Sequence, residues 1–289
     1  MSKTEIEFNK EIQKNIMEIK DLCTAQPAVE TQDMICYRPE SNTFEKKEKI
    51  ILHENLLSVY INEDLALKLV CTIQDLPALV LGHLYTEGRI NGVEDIHSIY
   101  ICRDGVRARV MTTRPLGEIK KPIEVRACDC GEEGMLGRDL LSEQDDTESV
   151  SVLPSFDFDY RQTLDLIQAF RKGAPLHQKT HGIHSCFLMY KGEIRYLCED
   201  IGRHNALDKA IGKALIDGLD LTKCILFSSG RIPDDMMEKV IRSRVPVLVS
   251  NGAPTDRAVT LARKYHVTLI CSAHMDAMDI FSSKEFWED

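Results

Sequence analysis

The chain holds no uninterrupted apolar run approaching the roughly 18 residues that cross a bilayer as a helix. Its opening stretch, MSKTEIEFNKEIQKN, carries no apolar signal core. Neither membrane insertion nor secretion is expected, and the cytoplasm is the expected location. Positive charge is also in deficit. With Lys+Arg 36 against Asp+Glu 46 the formal net charge is -10, which argues against nucleic acid or an anionic membrane surface as partner and still allows a local basic pocket. A disulfide framework is missing too. Of the 10 cysteines, Cys23, Cys36, Cys71, Cys102, Cys186, Cys198, Cys224 and Cys271 are scattered, most inside apolar runs, and read as small buried hydrophobes in a reducing compartment. The zinc-deaminase strings, His-x-Glu followed by Pro-Cys-x-x-Cys, do not occur. The lone Cys-x-Cys pair lacks the second spaced pair of a structural zinc site, so no metal site is expected.

At 289 residues there is room for two domains, or for one large domain with an appended segment. Hydrophobic residues at 43% and charged residues at 28% are ordinary for a globular protein. The stretch on which the rest turns runs from Glu199 to Leu215, EDIGRHNALDKAIGKAL. Before it, Gly192 to Cys198 alternates apolar with polar and predicts a strand. After it begins, Ala206, Leu207, Ala210, Ile211, Ala214 and Leu215 recur at helical spacing, with Asn205 as the expected N-cap. The polar cluster thus falls where a strand hands over to a helix, the place where open α/β sheets collect ligands.

That pattern occurs twice more. Lys223 to Phe227 leads into Ser228-Ser229-Gly230-Arg231-Ile232-Pro233 and a helical run through Met236, Met237, Val240 and Ile241. Val245 to Val249 leads into Ser250-Asn251-Gly252-Ala253-Pro254-Thr255 and a helix carrying Ala258, Val259, Leu261 and Ala262, with a further strand at Val267 to Cys271. Three such units predict a largely parallel sheet whose loops gather at one edge. Arg203, Arg231 and Arg257, one in or just after each loop, suit a phosphorylated, planar ligand. A plainer reading fits the same residues. Turn geometry alone asks for Ser, Asn and Gly at such places, and Glu199 and Asp200 can serve as ion-pair partners of Arg203 and Lys209. His181 and His184, just before a predicted strand at Ser185 to Tyr190, read as structural.

Four regions follow from the pattern. Residues 1–35 form a polar N-terminal extension with helical periodicity through Ile6, Phe8, Ile12 and Ile16. Residues 36–125 form a mixed β-rich domain: strands at Ile50–Leu52, Leu57–Ile61 and Ala66–Cys71, a helix capped by Asp75 and stopped near Gly88, then strands at Val93–Tyr100 and Arg107–Met111. Residues 126–152 are a cysteine loop and acidic linker, expected to be exposed. Residues 153–289 form the α/β domain, opening with a helix from Tyr160 to Lys172. In the loop, Cys128 and Cys130 break every periodicity, where a core thiol would not be placed. An accessible thiolate can accept a second sulfur from a donor persulfide. Metal binding and an ordinary loop with incidental cysteines remain as other readings of the pair.

The blocks Gly82-His83-Leu84-Tyr85-Thr86-Glu87-Gly88, Thr180-His181-Gly182-Ile183-His184, Glu199 to Lys209, Ser229-Gly230-Arg231 and Ala253-Pro254-Thr255 resemble, in order and spacing, the FdhD family of formate dehydrogenase accessory sulfurtransferases. The resemblance covers roughly residues 38–283. It implies a cytidine-deaminase-like α/β fold for the C-terminal domain, without the deaminase metal site, beside the smaller β-rich domain. It further implies a sulfurtransferase that takes sulfur from a cysteine desulfurase as a persulfide on Cys128 and Cys130 and passes it to the bis-molybdopterin guanine dinucleotide cofactor of formate dehydrogenase. The cofactor, or GDP as its surrogate, is expected on Arg203, His204, Asn205, Ser229 and Arg231 and on the segment Met278-Asp279-Ile280-Phe281-Ser282, with Arg257 a further phosphate ligand and His204 placed for an acid–base step. A homodimer is the expected assembly.

Two departures from the family pattern stand out. Phe281 replaces a tyrosine, which removes one hydroxyl. The usual Cys-Gly-x-Cys-Gly becomes Ala127-Cys128-Asp129-Cys130-Gly131. Three readings stay open: Cys128 substitutes for the displaced thiol, Cys130 works alone, or the protein binds cofactor as a chaperone without transferring sulfur.

Overall fold

The computed structural model describes residues 17–24, 27–116, 125–126 and 151–287. The first part of the chain gives β1 (Glu18–Asp21), β2 (Val29–Arg38), β3 (Thr43–Leu52), β4 (Asn55–Ile61), β5 (Asp64–Cys71), α1 (Leu76–Thr86), β6 (Ile96–Ile101), β7 (Arg107–Thr112) and β8 (Val125–Arg126). The second gives α2 (Arg161–Gly173), α3 (Pro175–Thr180), β9 (His184–Tyr190), β10 (Glu193–Asp200), α4 (Arg203–Ile216), β11 (Cys224–Ser228), α5 (Asp234–Arg242), β12 (Val247–Ser250), α6 (Asp256–Lys264), β13 (Thr268–Cys271) and β14 (Asp279–Ser282).

Alternation builds the first sheet. Leu57, Val59 and Ile61 point inward from β4, Ile96, Ile99 and Ile101 from β6, Ala108 and Val110 from β7. Its order is β1-β6-β7-β4-β5-β8, a mixed sheet. β1 adds itself parallel to β6, so part of the span read as an appended extension belongs to this sheet, and the expected boundary at residue 35 falls inside β2. The helical periodicity through Ile6 to Ile16 lies outside the described residues. β2 and β3 pair only with each other among the described residues, as a long two-stranded ribbon.

The second sheet has the order β10-β9-β11-β12-β13-β14. β11, β12 and β13 are parallel neighbours. However, β9 is antiparallel to both β10 and β11, and β14 is antiparallel to β13. The sheet is therefore mixed rather than largely parallel, because the Lys191-Gly192 turn folds β10 back along β9. β10 to β13 nonetheless all run one way, so their loops do gather at one edge. α4, α5 and α6 cover one face through Leu207, Ile211, Met236, Val240 and Leu261; α2 covers the other through Leu166 and Ile167.

Two caps differ from expectation. Asp75 adopts φ 57° and makes no capping bond; its carboxylate pairs with Lys213 at 2.9 Å, and Pro77 in the first turn removes an amide that would otherwise need a partner. α4 starts at Arg203 with Gly202 at the N-cap. Asn205 sits inside the first turn because its side chain is held elsewhere, as shown below.

α1 joins the two halves. All of its residues except Tyr85 are buried, because one side meets the first sheet and the other lies against α4. The helices touch backbone to backbone. A Cβ on Gly82 would stand 1.8 Å from the Asp208 carbonyl oxygen, and one on Gly212 would stand 1.9 Å from that of Ala78. Around this crossing lies a buried charge cluster. Lys239 Nζ reaches Asp208 Oδ2 at 3.0 Å, Glu87 Oε1 at 2.9 Å and Thr86 Oγ1 at 2.9 Å, while His83 Nδ1 lies 3.0 Å from Asp208 Oδ2. Burial pushes the Asp208 carboxyl up, but Lys239 and His83 outweigh it and hold it below its ordinary range. For His83, burial and then the Lys239 ammonium keep the imidazole below its ordinary value, against the pull of Asp208.

Two outcomes follow. Gly82→Ala or Gly212→Ala is expected to cost at least about 2 kcal/mol in urea unfolding, since backbone on the partner helix has no room to move aside. His83 binds its proton more weakly folded than unfolded, so its contribution is complete above the unfolded value of about 6.5 and is lost as pH falls below it. Stability should therefore decline between pH 7 and pH 5 by up to ~1.4 kcal/mol per pH unit from this group, and His83→Gln should flatten that slope.

Candidate functional site

The edge where β10 to β13 end collects the loops read from the sequence, and they are bonded into one another. Ser229 Oγ accepts the Ser185 amide at 2.9 Å, and the Ser229 amide donates to the Ser185 carbonyl at 2.9 Å. Ser250 Oγ donates to the Gly230 carbonyl at 2.6 Å. The Ile232 amide donates to Ala253 O at 3.0 Å and the Thr255 amide to Ile232 O at 2.9 Å, so the loops after β11 and β12 form a short parallel bridge. The Ser272 amide then reaches Gly252 O at 3.0 Å. Gly230 is flanked by Arg203 Cβ at 3.1 Å and His184 Nδ1 at 3.3 Å from where its own Cβ would be. Gly252 has Gly230 O at 2.8 Å from the same position. Side chains at either glycine would wedge the loops apart.

The acidic pair that opens the organising stretch is structural. Glu199 accepts the amides of Leu176 and His177 at 3.0 and 2.8 Å, which pins the start of α3. Asp200 is fully buried. Its Oδ2 accepts the Thr72 amide and hydroxyl at 3.0 Å each and meets Lys209 Nζ at 2.6 Å; its Oδ1 accepts the Gly202 amide at 3.0 Å and Asn205 Nδ2 at 2.9 Å. Asn205 also donates to Val70 O at 2.8 Å. The end of β5 is thereby bound to the first turn of α4. Of the two ion-pair readings, Asp200 with Lys209 is present at 2.6 Å.

The remaining predicted residues divide into two groups. At the edge Arg203 is buried beside half-buried His184, and Arg231 is exposed. His204 Nε2 lies 3.0 Å from Asp235 Oδ2, a partner 31 residues downstream that no motif announced. Burial pushes the Asp235 carboxyl up, and the bond and charge of His204 with the Met236 amide bring it below its ordinary range. Burial lowers His184, and Arg203, His177 and His204 beside it add to the effect. Cationic side chains thus gather at the edge together with the carboxylates of Asp234 and Asp235. Arg257 Nε is engaged with Asp234 Oδ2 at 2.8 Å.

The C-terminal segment is spread along a strand. Asp279 pairs with Cys271 at the level of the edge, whereas Phe281 and Ser282 run away from it. Phe281 packs on the core and Ser282 accepts the Trp287 indole at 3.0 Å. Met278 Sδ accepts Thr163 Oγ1 at 3.5 Å on the α2 side, and Asp279 and Ile280 are exposed. His181 is exposed at the end of α3. Cys128 and Cys130 lie outside the described residues. Among those described, no group of three or more His, Cys, Asp or Glu side chains is placed to hold a metal ion, and no helix is long and apolar enough to cross a membrane.

Because Asp200 and Lys209 are both wholly buried, Lys209→Met leaves a carboxylate without its counter-charge and should cost ~3–5 kcal/mol in denaturant unfolding. Adding Asp200→Asn in the same chain should recover part of that loss.

Comparison with known proteins agrees with this architecture. A sulfur carrier protein FdhD of Listeria monocytogenes is 29% identical over 253 residues, covering 86% of this chain and 95% of the relative. The Bacillus subtilis protein of the same name is 27% identical over 252 residues, covering 86% and 94%. A solved structure described as a formate dehydrogenase accessory protein from Desulfotalea psychrophila superposes with a TM-score of 0.71 at 21% identity, over 91% of this chain and 100% of that one. A family model described as FdhD/NarQ matches residues 52–287. With the match spanning the first sheet from β4 onward, the whole second sheet and every loop of the edge, the chain belongs to the FdhD/NarQ family.

Proposed function

We propose that this protein is a sulfur carrier for formate dehydrogenase: it takes sulfur from a cysteine desulfurase onto Cys128 or Cys130 and passes it to a bis-molybdopterin guanine dinucleotide cofactor held at the loop edge. The observation that carries this reading is the pairing of β8 with β5. Val125 and Arg126 lie beside Lys68 and Leu69, and both strands run the same way. The next residues of β5's chain are Val70 and Thr72, which hold Asn205 and Asp200. Cys128 and Cys130 follow Arg126 by two and four residues in the sequence. Arg126, the last described residue before the thiol pair, lies beside the end of β5, which is bonded to the loop edge, and this supports the reading.

Cys23, Cys36 and Cys102 are half-buried rather than the core thiols expected, whereas four cysteines of the second sheet support the assignment by their chemistry. Burial pushes the thiols of Cys198, Cys224 and Cys271 up to about 12 and that of Cys186 up as well, so none of the four supplies a thiolate near neutral pH. In the loading step, the thiolate attacks the outer sulfur of the desulfurase persulfide. One S–S bond breaks and another forms, and the donor leaves as a thiolate. Release as hydrosulfide needs two further electrons. The second thiol of the pair supplies them by attacking the inner sulfur and closing a disulfide.

At the edge, Arg203 and Arg231 hold phosphate oxygens, and His204, kept in place by Asp235, stands by for proton transfer. Asn205 and Ser229 act by fixing the rim, and Met278 and Asp279 border it. A cytidine-deaminase-like reading of the second sheet is supported by the order β10-β9-β11-β12-β13 with α4 to α6 on one face. Two-fold assembly suits a cargo made of two like halves, and the location that goes with this work is the cytoplasm. The shifted cysteine spacing favours one competing reading, a cofactor chaperone that transfers no sulfur.

One experiment separates the two. Incubated with a desulfurase and cysteine, the protein should gain reductant-sensitive sulfane sulfur, and Cys128→Ala with Cys130→Ala should abolish it; unchanged labelling removes the carrier role. Titration with GDP should show binding weakened about tenfold by Arg203→Ala or Arg231→Ala, the loss of one charge-assisted contact.

A further inference from the structure

Arg257, expected as a phosphate ligand, is already taken. Its Nε lies 2.8 Å from Asp234 Oδ2, and in the next residue Asp235 Oδ2 holds His204 Nε2 at 3.0 Å. Two consecutive carboxylates thus stand among the cations of the edge. Both belong to the first turn of α5, whose N-cap, Pro233, makes no side-chain bond, and the helix dipole favours acidic residues there. Helix stabilisation alone accounts for their presence. It does not account for Arg257. The bridge between Ile232 and Pro254 sets the loops after β11 and β12 side by side, and that alignment brings Asp234, two residues past Ile232, onto Arg257, three residues past Pro254.

The two carboxylates are held differently. Asp235 is shielded: it and His204 are 25% and 18% exposed, and its Oδ1 also accepts the Met236 amide at 2.7 Å. The pair of Asp234 with Arg257 is open to water, with the side chains 36% and 52% exposed. An ion pair so placed contributes little to stability. A phosphate offers a guanidinium more charge and more acceptor oxygens than a carboxylate does, in the same forked geometry. A chloride ion or a ligand carboxylate offers Arg257 nothing that Asp234 does not already supply.

We infer that Asp234 is a specificity-determining residue of the edge: it occupies Arg257 as an internal counter-ion, and a ligand gains that arginine only by displacing it, which a diphosphate does and a weaker anion does not. Asp235 stays in place with His204, so the exchange is confined to the side chains of Asp234 and Arg257 and leaves the braced loops unmoved. This rests on the preceding reading, in which the edge holds the phosphates of the cargo.

Calorimetric titration of the full chain with GDP and with inorganic pyrophosphate tests the exchange. Asp234→Asn keeps the shape of the side chain and its acceptor for the Asp235 amide, and it should bind both probes about fivefold more tightly than wild type. Asp234→Ser, which also keeps an acceptor at the helix end, should do the same, so that one variant failing to fold leaves the other to decide. On an Arg257→Ala background the gain from Asp234→Asn should shrink to about twofold, the part that comes from plain repulsion between carboxylate and phosphate. Raising chloride should weaken GDP binding more steeply in Asp234→Asn than in wild type, because a solution anion then takes the place that Asp234 has left. If both variants bind no more tightly than wild type, if the gain is as large without Arg257, or if chloride acts equally on both proteins, Asp234 is no competitor and the phosphate site stands without it. If wild type and every variant bind neither probe, the site falls as well.

Discussion

The contact on which the structure depends is the crossing of α1 and α4. Two helices approach this closely only where neither has a side chain, and Gly82 and Gly212 provide that at the two points of contact. Once the backbones touch, the groups around them are cut off from water, and every charge there must find a counter-charge. Lys239 answers Asp208 and Glu87, Lys209 answers Asp200, and Thr72 and Thr86 fill the remaining valences. Close approach and ionic cluster are thus one device. It holds the first sheet against the second and sets where the end of β5 lies relative to the loops.

That device also sorts the polar residues of the organising stretch by task. Glu199, Asp200, Asn205, Asp208 and Lys209 are occupied within the protein, each by named partners. What the edge presents is a different set: exposed Arg231, the half-buried imidazole of His204 held by Asp235, and the main chain of the loops after β11 and β12. A motif dense in charge can be mostly scaffold, with its chemistry supplied by the few members that the scaffold leaves at the surface.

Much of this was legible in the residues, and the failures have physical causes. Alternation at Leu57, Val59 and Ile61 and helical spacing at Ala206, Leu207, Ala210 and Ile211 predicted their elements because local burial obeys the same periods. The gathering of loops at one edge was legible for the same reason. The directions of β9 and β14 were not, since a turn at Lys191-Gly192 reveals a hairpin but not its place in a sheet. Asp75 and Asn205 have the chemistry of caps, and long-range partners, Lys213 and Val70, took them instead. His83 with Asp208 and His204 with Asp235 join residues far apart in the chain, and a single sequence carries no signal for such pairs. Cys128 and Cys130 stood out in the sequence by their departure from pattern, and they lie outside the described residues.

The bridge between Ile232 and Pro254 is one link of a longer chain of bonds. Bonds from Ser185 through Ser229, Gly230, Ala253 and Gly252 to Ser272 brace four successive turns against one another before any guest arrives. Such a mouth is stiff in advance, so any guest bound there would forfeit little main-chain freedom, and its affinity would be governed by how well its shape and charge agree with a fixed mould.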